Sequence, residues 1–314
     1  MRELGAASEE LRANKGATIN AQTACSRHDV QDYLLVSDVD NTLLGDNPSL
    51  ERFAEWFDQA RGSVRLAYNS GRFFESIMQS VSETALPEPD AIIGGVGTDI
   101  RVAKGSGTFL PNQLRVHGFV AGKKVPDPFV RLTDWPELDG QWDHKAVRAV
   151  LAAHKELEPQ PDHLQSEFKV SFFGYDLGAT FLDQLRLRYA GLGYAVDVIY
   201  SSDRDLDVLP ANTNKGTAAA HLAAHWEIEP MNVIVAGDSG NDAPMFDRGF
   251  CGIMVGNALP ELQAIHGVNA YRAVESCAAG VMEGLRHWLA NHPSASLTSG
   301  PTCLVPDGDR GRRG

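Results

Sequence analysis

Cysteine is scarce and scattered: Cys25, Cys251, Cys277 and Cys303 are the four in 314 residues, and no Cys-x-x-Cys pair occurs. That spacing speaks against a zinc site and against a disulfide framework, and leaves buried or idle thiols as the reading. No apolar run approaches the roughly 18 residues of a membrane span. The first 32 residues carry neither the apolar stretch nor the small-residue cleavage pattern of a secretory signal. A cytoplasmic location with no membrane partner is therefore expected. Positive charge is in short supply, with 28 Lys and Arg against 41 Asp and Glu and a net charge of -13 at pH 7. A nucleic-acid backbone is repelled by such a chain on average, so no nucleic-acid partner is expected. A small anionic ligand would need a locally positive pocket and a cation. The hydrophobic fraction, 43%, is enough for a packed core.

What the chain does contain is a series of apolar strands that empty into polar loops. The first is Tyr33-Leu34-Leu35-Val36, which runs into Asp38-Val39-Asp40-Asn41-Thr42 and then into turn residues from Gly45 to Pro48. If the strand stays extended, Asp38 and Asp40 face one side and look into the crevice where open α/β sheets bind ligands. Two like charges held so close need a cation or a shared proton. Taken alone, the pair reads equally well as a solvated turn capping the next helix.

Three later stretches repeat the pattern. Val64 to Tyr68 leads to Asn69-Ser70-Gly71-Arg72, Leu206 to Pro210 leads to Asn214-Lys215-Gly216, and Val233 to Ala236 leads to Gly237-Asp238-Ser239-Gly240-Asn241-Asp242. A serine at a strand-to-helix junction suits a phosphate, because helix starts present unpaired N–H donors, although a plain N-cap explains it too. Ala91-Ile92-Ile93-Gly94-Gly95-Val96-Gly97-Thr98 is a strand with a glycine-rich turn, which could bring backbone to a ligand or simply be tight. It is no Walker loop, since no Gly-Lys-Ser/Thr follows.

In order and spacing these four stretches resemble the motifs of the haloacid dehalogenase superfamily of phosphatases, over about residues 33 to 290. Together with Ser201 to Pro210, Ile92 to Thr98 and Asn257-Ala258-Leu259-Pro260-Glu261-Leu262, they look like the family of sucrose-phosphate and mannosylfructose-phosphate phosphatases. The resemblance implies an α/β fold, with a Rossmann-like parallel-sheet core and an inserted α/β cap of the C2B type. It implies Mg²⁺ as cofactor and a small-molecule sugar phosphate as partner, with a glycosyltransferase of the same pathway as a further candidate. Asp38 is implied as nucleophile, Asp40 as acid and base, and Ser70 and Lys215 as holders of phosphate oxygens. The metal ligands implied are Asp38, Asp40 through its backbone carbonyl, Asp238 and Asp242. Phosphate contacts extend to Asn41, Thr42, Gly71 and Asn241, and substrate contacts to Arg72, Gly97, Thr98, Lys169, Asp207 and Asn212.

The stretch between Ser70 and Lys215 far exceeds one crossover helix, so a second domain is expected there. Its contents read as a helical region from Trp135 to Leu157, a strand at Phe168 to Phe173, a helix carrying Phe181 to Tyr189, and a strand at Tyr194 to Tyr200. The expected division is a core of residues 33–110 and 200–292, a cap of 111–199, a flexible leader of 1–32 and a disordered tail of 293–314 rich in Pro, Gly, Ser and Arg. In Phe168-Lys169-Val170-Ser171-Phe172, alternation sets Lys169 and Ser171 on one face. That face looks either to the core's crevice, where the resemblance implies a hexose, or to solvent, where lysines usually lie.

Overall fold

The computed structural model describes residues 33–104, 128–136, 138 and 141–291. Its first strand, β1 (Tyr33–Ser37), is buried along its whole length, as an apolar run in the middle of a parallel sheet must be. The chain continues through α1 (Asn47–Ala60), β2 (Val64–Asn69), α2 (Phe74–Glu83), β3 (Ala91–Gly94), β4 (Asp99–Ala103) and β5 (Phe129–Arg131). It then passes through α3 (His144–Ala152), β6 (Glu158–Pro159), β7 (Val170–Phe173), α4 (Ala179–Gly191), β8 (Val196–Ser201) and β9 (Asp205–Pro210). The remainder is α5 (Lys215–His225), β10 (Val233–Gly237), α6 (Ala243–Phe246), β11 (Cys251–Met254), α7 (Pro260–Gln263), β12 (Ala270–Arg272) and α8 (Cys277–Asn291).

Eight strands form one sheet in the order β12-β11-β10-β1-β2-β3-β4-β5. The six from β12 to β3 are parallel, while β4 and β5 run antiparallel at the edge. From β1 the chain first builds outward through β2 and returns much later on the other side as β10. This reversal is a topological switch point, and it opens a crevice beyond the carboxyl ends of β1 and β10. Local chemistry supports the layout. In α1, Asp46 accepts the N–H of Ser49 as N-cap, Pro48 sits in the first turn, and Leu50, Phe53, Trp56, Phe57 and Ala60 make the buried stripe. Each large side chain so buried contributes about 1.5–3 kcal/mol.

A second, antiparallel sheet has the order β6-β7-β9-β8. One of its faces contributes Val170, Phe172, Leu206 and Val208 to a core of its own with Val147, Leu151, Leu185 and Tyr189 from α3 and α4. This is the expected α/β cap, with altered bounds. The Leu206 to Pro210 stretch, expected in the core, is the central strand β9 of the cap sheet, joined to β8 by a turn in which Ser202 and Asp203 are left-handed. Its apolar alternation is satisfied by the cap's own core rather than by the parallel sheet. Conversely β5, expected in the cap, extends the core sheet.

The helix expected over Trp135 to Leu157 is confined to His144–Ala152, because Asp143 caps it by accepting the N–H groups of Lys145 and Ala146. Cys251 and Cys277 are buried free thiols, as expected. The leader 1–32, the tail 293–314, Cys25, Cys303 and the boundary placed at residue 110 lie outside the described residues. No described helix is long and apolar enough to cross a membrane.

Candidate active site

Asp38 and Asp238 each follow the last residue of adjacent parallel strands, β1 and β10, and the N–H of Asp38 donates to Ala236 at 2.9 Å. Register alone therefore brings together two carboxylates that are far apart in the chain. Lys215 arrives from the side as the first residue of α5. Asn214 holds that helix start as N-cap, accepting from Gly216 and Thr217 while Thr217 Oγ1 accepts the N–H of Asn214. The Lys215 ammonium lies 2.7 Å from Asp38 Oδ1 and 2.6 Å from Asp242 Oδ1, and these three groups are buried, as is Asp238. The other oxygen of Asp242 accepts the N–H groups of Asp238 and Ser239. Asp242 thus shapes its own loop and anchors the lysine. Thr42 Oγ1 donates to Asp238 Oδ1 at 3.2 Å.

The electrostatics are those of an anionic pocket short of positive charge. Burial pushes the Asp38 carboxyl well above its ordinary range; Lys215 pulls it back, and Asp242 and Asp238 push it up further. Burial, followed by the charge of Asp242, pushes Asp238 up to about 7. Burial also works against the charge of Lys215, but Asp242 and Asp38 outweigh it and hold its pKa above that of an ordinary lysine. One carboxylate oxygen from each of Asp38, Asp238 and Asp242 lies within 4.8 Å of the others. A set of hard oxygen donors with surplus negative charge fits Mg²⁺.

Asp40 does not share that position. The strand ends at Ser37, so the chain turns before Asp40, whose side chain is 50% exposed and outside the cluster. Its Oδ1 accepts from Arg72 at 3.2 Å. Arg72, expected to touch substrate, is committed to Asp40 and to α2, where it also donates to Ser76 Oγ, Ser76 O and Ser80 Oγ. Ser70 is buried just beyond β2 and is not an N-cap; its Oγ accepts the N–H of Arg72, and Phe73 holds the cap position of α2. Gly71 beside it keeps an ordinary φ. Asn41 is left-handed, and its carbonyl accepts from Asn257 Nδ2 at 2.7 Å. Asn241 lies within the acid loop, where its Oδ1 accepts from Ser239 Oγ.

The cap residues divide. Lys169 is only 3% exposed, which overturns the solvated-lysine reading; its Nζ lies 3.2 Å from Asp207 Oδ1, and Ser171 Oγ donates to the same oxygen. These three share the sheet face opposite the cap's apolar core. The ammonium sits 5.7 Å from the ring centroid of Phe73, so this face meets the core next to the Ser70 turn. Gly97 and Thr98 both make close contacts within the chain. A Cβ on Gly97, at φ +100, would come 2.4 Å from the carbonyl of Asn214, so this glycine seats the lysine helix, and Thr98 Oγ1 donates back to Gly95. Asn212 occupies an exposed left-handed turn before α5.

Sequence reasoning missed three residues as site members. Asn69 Nδ2 donates to the carbonyl of Lys215 at 2.9 Å. Asn214 caps α5 and also donates to Asp197 of the cap at 2.8 Å. Asn257 bridges Asn41 and Cys277. The signal for each was its place inside a quoted motif; the partner, far away in sequence, gave none.

Its matches to known proteins make this chain a phosphoric monoester hydrolase of the haloacid dehalogenase superfamily. The family model described as sucrose-6F-phosphate phosphohydrolase matches residues 31–114 and 123–289. The chain belongs to that family. It is 33% identical to a mannosylfructose-phosphate phosphatase of Agrobacterium fabrum over 82% of this chain and 97% of that protein. To sucrose-phosphatase 2 of Nicotiana tabacum it is 32% identical over 81% of this chain, which spans 58% of the longer plant protein. Among solved structures, the sucrose-phosphatase of Synechocystis sp. in complex with sucrose and phosphate superposes with a TM-score of 0.70 at 31% identity, covering 82% of this chain and 98% of that one.

Proposed function

We propose that this hydrolase removes phosphate from a phosphorylated fructosyl disaccharide, mannosylfructose-6-phosphate or sucrose-6-phosphate, through an aspartyl-phosphate on Asp38 and with Mg²⁺. The observation that carries the reaction is the convergence of Asp38, Asp238, Asp242 and Lys215 at one buried point. In the first step an Asp38 oxygen forms a bond to phosphorus, the ester P–O bond breaks in line, and Asp40 gives its proton to the leaving alkoxide. In the second, Asp40 takes a proton from water, the water oxygen bonds phosphorus, and the acyl phosphate bond breaks to free inorganic phosphate and Asp38. Lys215 and Ser70 hold the phosphoryl oxygens. Asp38, the Asp40 carbonyl and Asp238, with support from Asp242, would hold Mg²⁺, which when bound would neutralise developing phosphoryl charge. Names of the relatives support the sugar, and the core-facing polar face of the cap supports where it sits.

The test is a phosphate-release screen over sucrose-phosphate, mannosylfructose-phosphate, trehalose-phosphate and simple hexose phosphates, with and without Mg²⁺. Preferred release from one of the first two is expected; isomerised sugar phosphate without free phosphate would mark a mutase, and tight binding without turnover a sensor. Thorough chelation is expected to abolish activity and Mg²⁺ to restore it, and full activity in chelator would remove the metal from the reading.

Lys169 is the residue expected to select the sugar. Its ammonium offers three donors, and losing a hydrogen bond from a charged group costs about 1.5–3 kcal/mol. Lys169→Ala should lower kcat/KM for the disaccharide phosphate by about ten- to 150-fold and barely change turnover of para-nitrophenyl phosphate. Because the substitution also strips Asp207 of its cationic partner and leaves it only Ser171 on that oxygen, Lys169→Met combined with Asp207→Asn should be assayed beside it. Equal losses on both esters in that double variant would move Lys169 from specificity to support of the fold.

A further inference from the structure

The segment Asn257 to Glu261 stood out in the sequence, and the proposed reaction does not use it. In the structure it ties three parts of the chain together. Asn257 donates to Asn41, on the loop after Asp38. The N–H of Leu259 donates to the carbonyl of Asp238 at 2.6 Å. Glu261, on the short helix α7, then reaches both the acid loop and the cap with one oxygen: Oε1 accepts the N–H of Gly240 at 3.3 Å and the N–H of Ser202 at 2.9 Å. Ser202 is the left-handed residue opening the β8–β9 turn of the cap, and Gly240 lies between Asp238 and Asp242. The fit at Gly240 is close, since a Cβ there would stand 3.0 Å from Glu261 Cγ and 3.0 Å from the carbonyl of Tyr200 at the end of β8. A side chain there would make the cap strand or the glutamate give by a few tenths of an ångström.

We propose that Glu261 is a positioning residue that couples the seat of the cap to the loop carrying Asp238 and Asp242. A shared acceptor makes the two N–H groups partners: the cap turn cannot lift from Glu261 without loosening an oxygen that also orders the acid loop. Seating the cap over a sugar phosphate therefore firms the metal loop, and filling the metal loop firms the cap. The link to catalysis rests on the phosphatase reading above, whereas the link between the two N–H groups does not.

Hydrogen exchange of the full chain, read by mass spectrometry at peptides containing Ser202 and Gly240, tests the link directly. In metal-free protein, Glu261→Ala should speed exchange of both amides by about tenfold or more, the low end of what a hydrogen bond to a charged group contributes. Glu261→Gln, whose amide carbonyl still accepts, should stay near the wild type. Added Mg²⁺ should slow exchange at Ser202 as well as Gly240 in the wild type, and at Gly240 alone in Glu261→Ala. In turnover, Glu261→Ala should raise KM for the sugar phosphate and the Mg²⁺ concentration for half-activation, each by about tenfold, with kcat at saturation within about threefold. Acceleration of only one amide, Mg²⁺ protection of Ser202 that survives in Glu261→Ala, or equal damage in Glu261→Gln would overturn the coupling. An intact exchange result with no phosphate release from any ester would instead overturn the phosphatase reading and leave the coupling standing.

Discussion

Asp38→Asn is expected to lower turnover of a phosphate monoester on the order of 10⁴-fold or more, the scale on which losing a nucleophile is felt, while the protein stays folded. The amide nearly matches the carboxylate in shape but is a poor nucleophile, so the covalent step is lost and the packing is kept. Asp38 is buried and its carboxyl is held well above the ordinary range by burial. Replacing it by a neutral group thins a surplus of buried carboxylates and leaves Lys215 paired with Asp242, so thermal unfolding in chelator should occur at the same or a higher temperature. Single-turnover assays with trapping of the acyl phosphate complete the measurement. Near-normal kcat in this variant would sink the aspartyl-phosphate mechanism.

Lys215→Met is expected to act on the fold as strongly as on the chemistry. The ammonium is the shared counter-ion of Asp38 and Asp242, and removing one partner of a buried ion pair costs about 3–5 kcal/mol because the remaining charges stay buried. At about 2–4 °C per kcal/mol for a chain of this size, Tm should fall by roughly 6–20 °C. The sign with pH follows from the carboxylates. The folded pKa values of Asp38 and Asp238 are raised above the unfolded ones, so the folded state holds protons that the unfolded state has already lost. Stability is then full at about pH 4 and below and declines as pH rises toward the folded pKa. In the metal-free wild type that decline should run from about pH 4 to about 7, the value to which burial pushes Asp238. In Lys215→Met it should be steeper, and adding Asp242→Asn should recover part of the loss. Thermal unfolding in chelator across that range checks both, and a variant no less stable than the wild type at neutral pH would show that the lysine is not the counter-ion.

How much could be read in advance differed from residue to residue. Asp38, Lys215, Asp238 and Asp242 were legible because each ends or begins an element whose pattern is local: a wholly apolar strand stopped by a polar turn, or a capped helix start. The strand leading to Lys215 was placed in the wrong sheet, because alternation such as Leu206-Asp207-Val208 says only that one face is buried and not which core buries it. The neighbour of the Gly97 turn was not legible for a similar reason. A glycine-rich turn announces close approach, and only the assembled chain shows that what approaches is the backbone of Asn214.

Read alone, the chain specifies the α/β class, the strands that lead into the site and the residue types at their ends, since these depend on hydrophobic period and turn chemistry within a few neighbours. The partners of those residues belong to the tertiary structure. Arg72 pairs with Asp40 and bonds α2, Lys169 pairs with Asp207 of β9, and Glu261 joins the cap to the acid loop. Each of these is a choice among hydrogen-bond acceptors far apart in sequence, made by sheet register and by the cost of leaving a charged or polar group unpaired on burial.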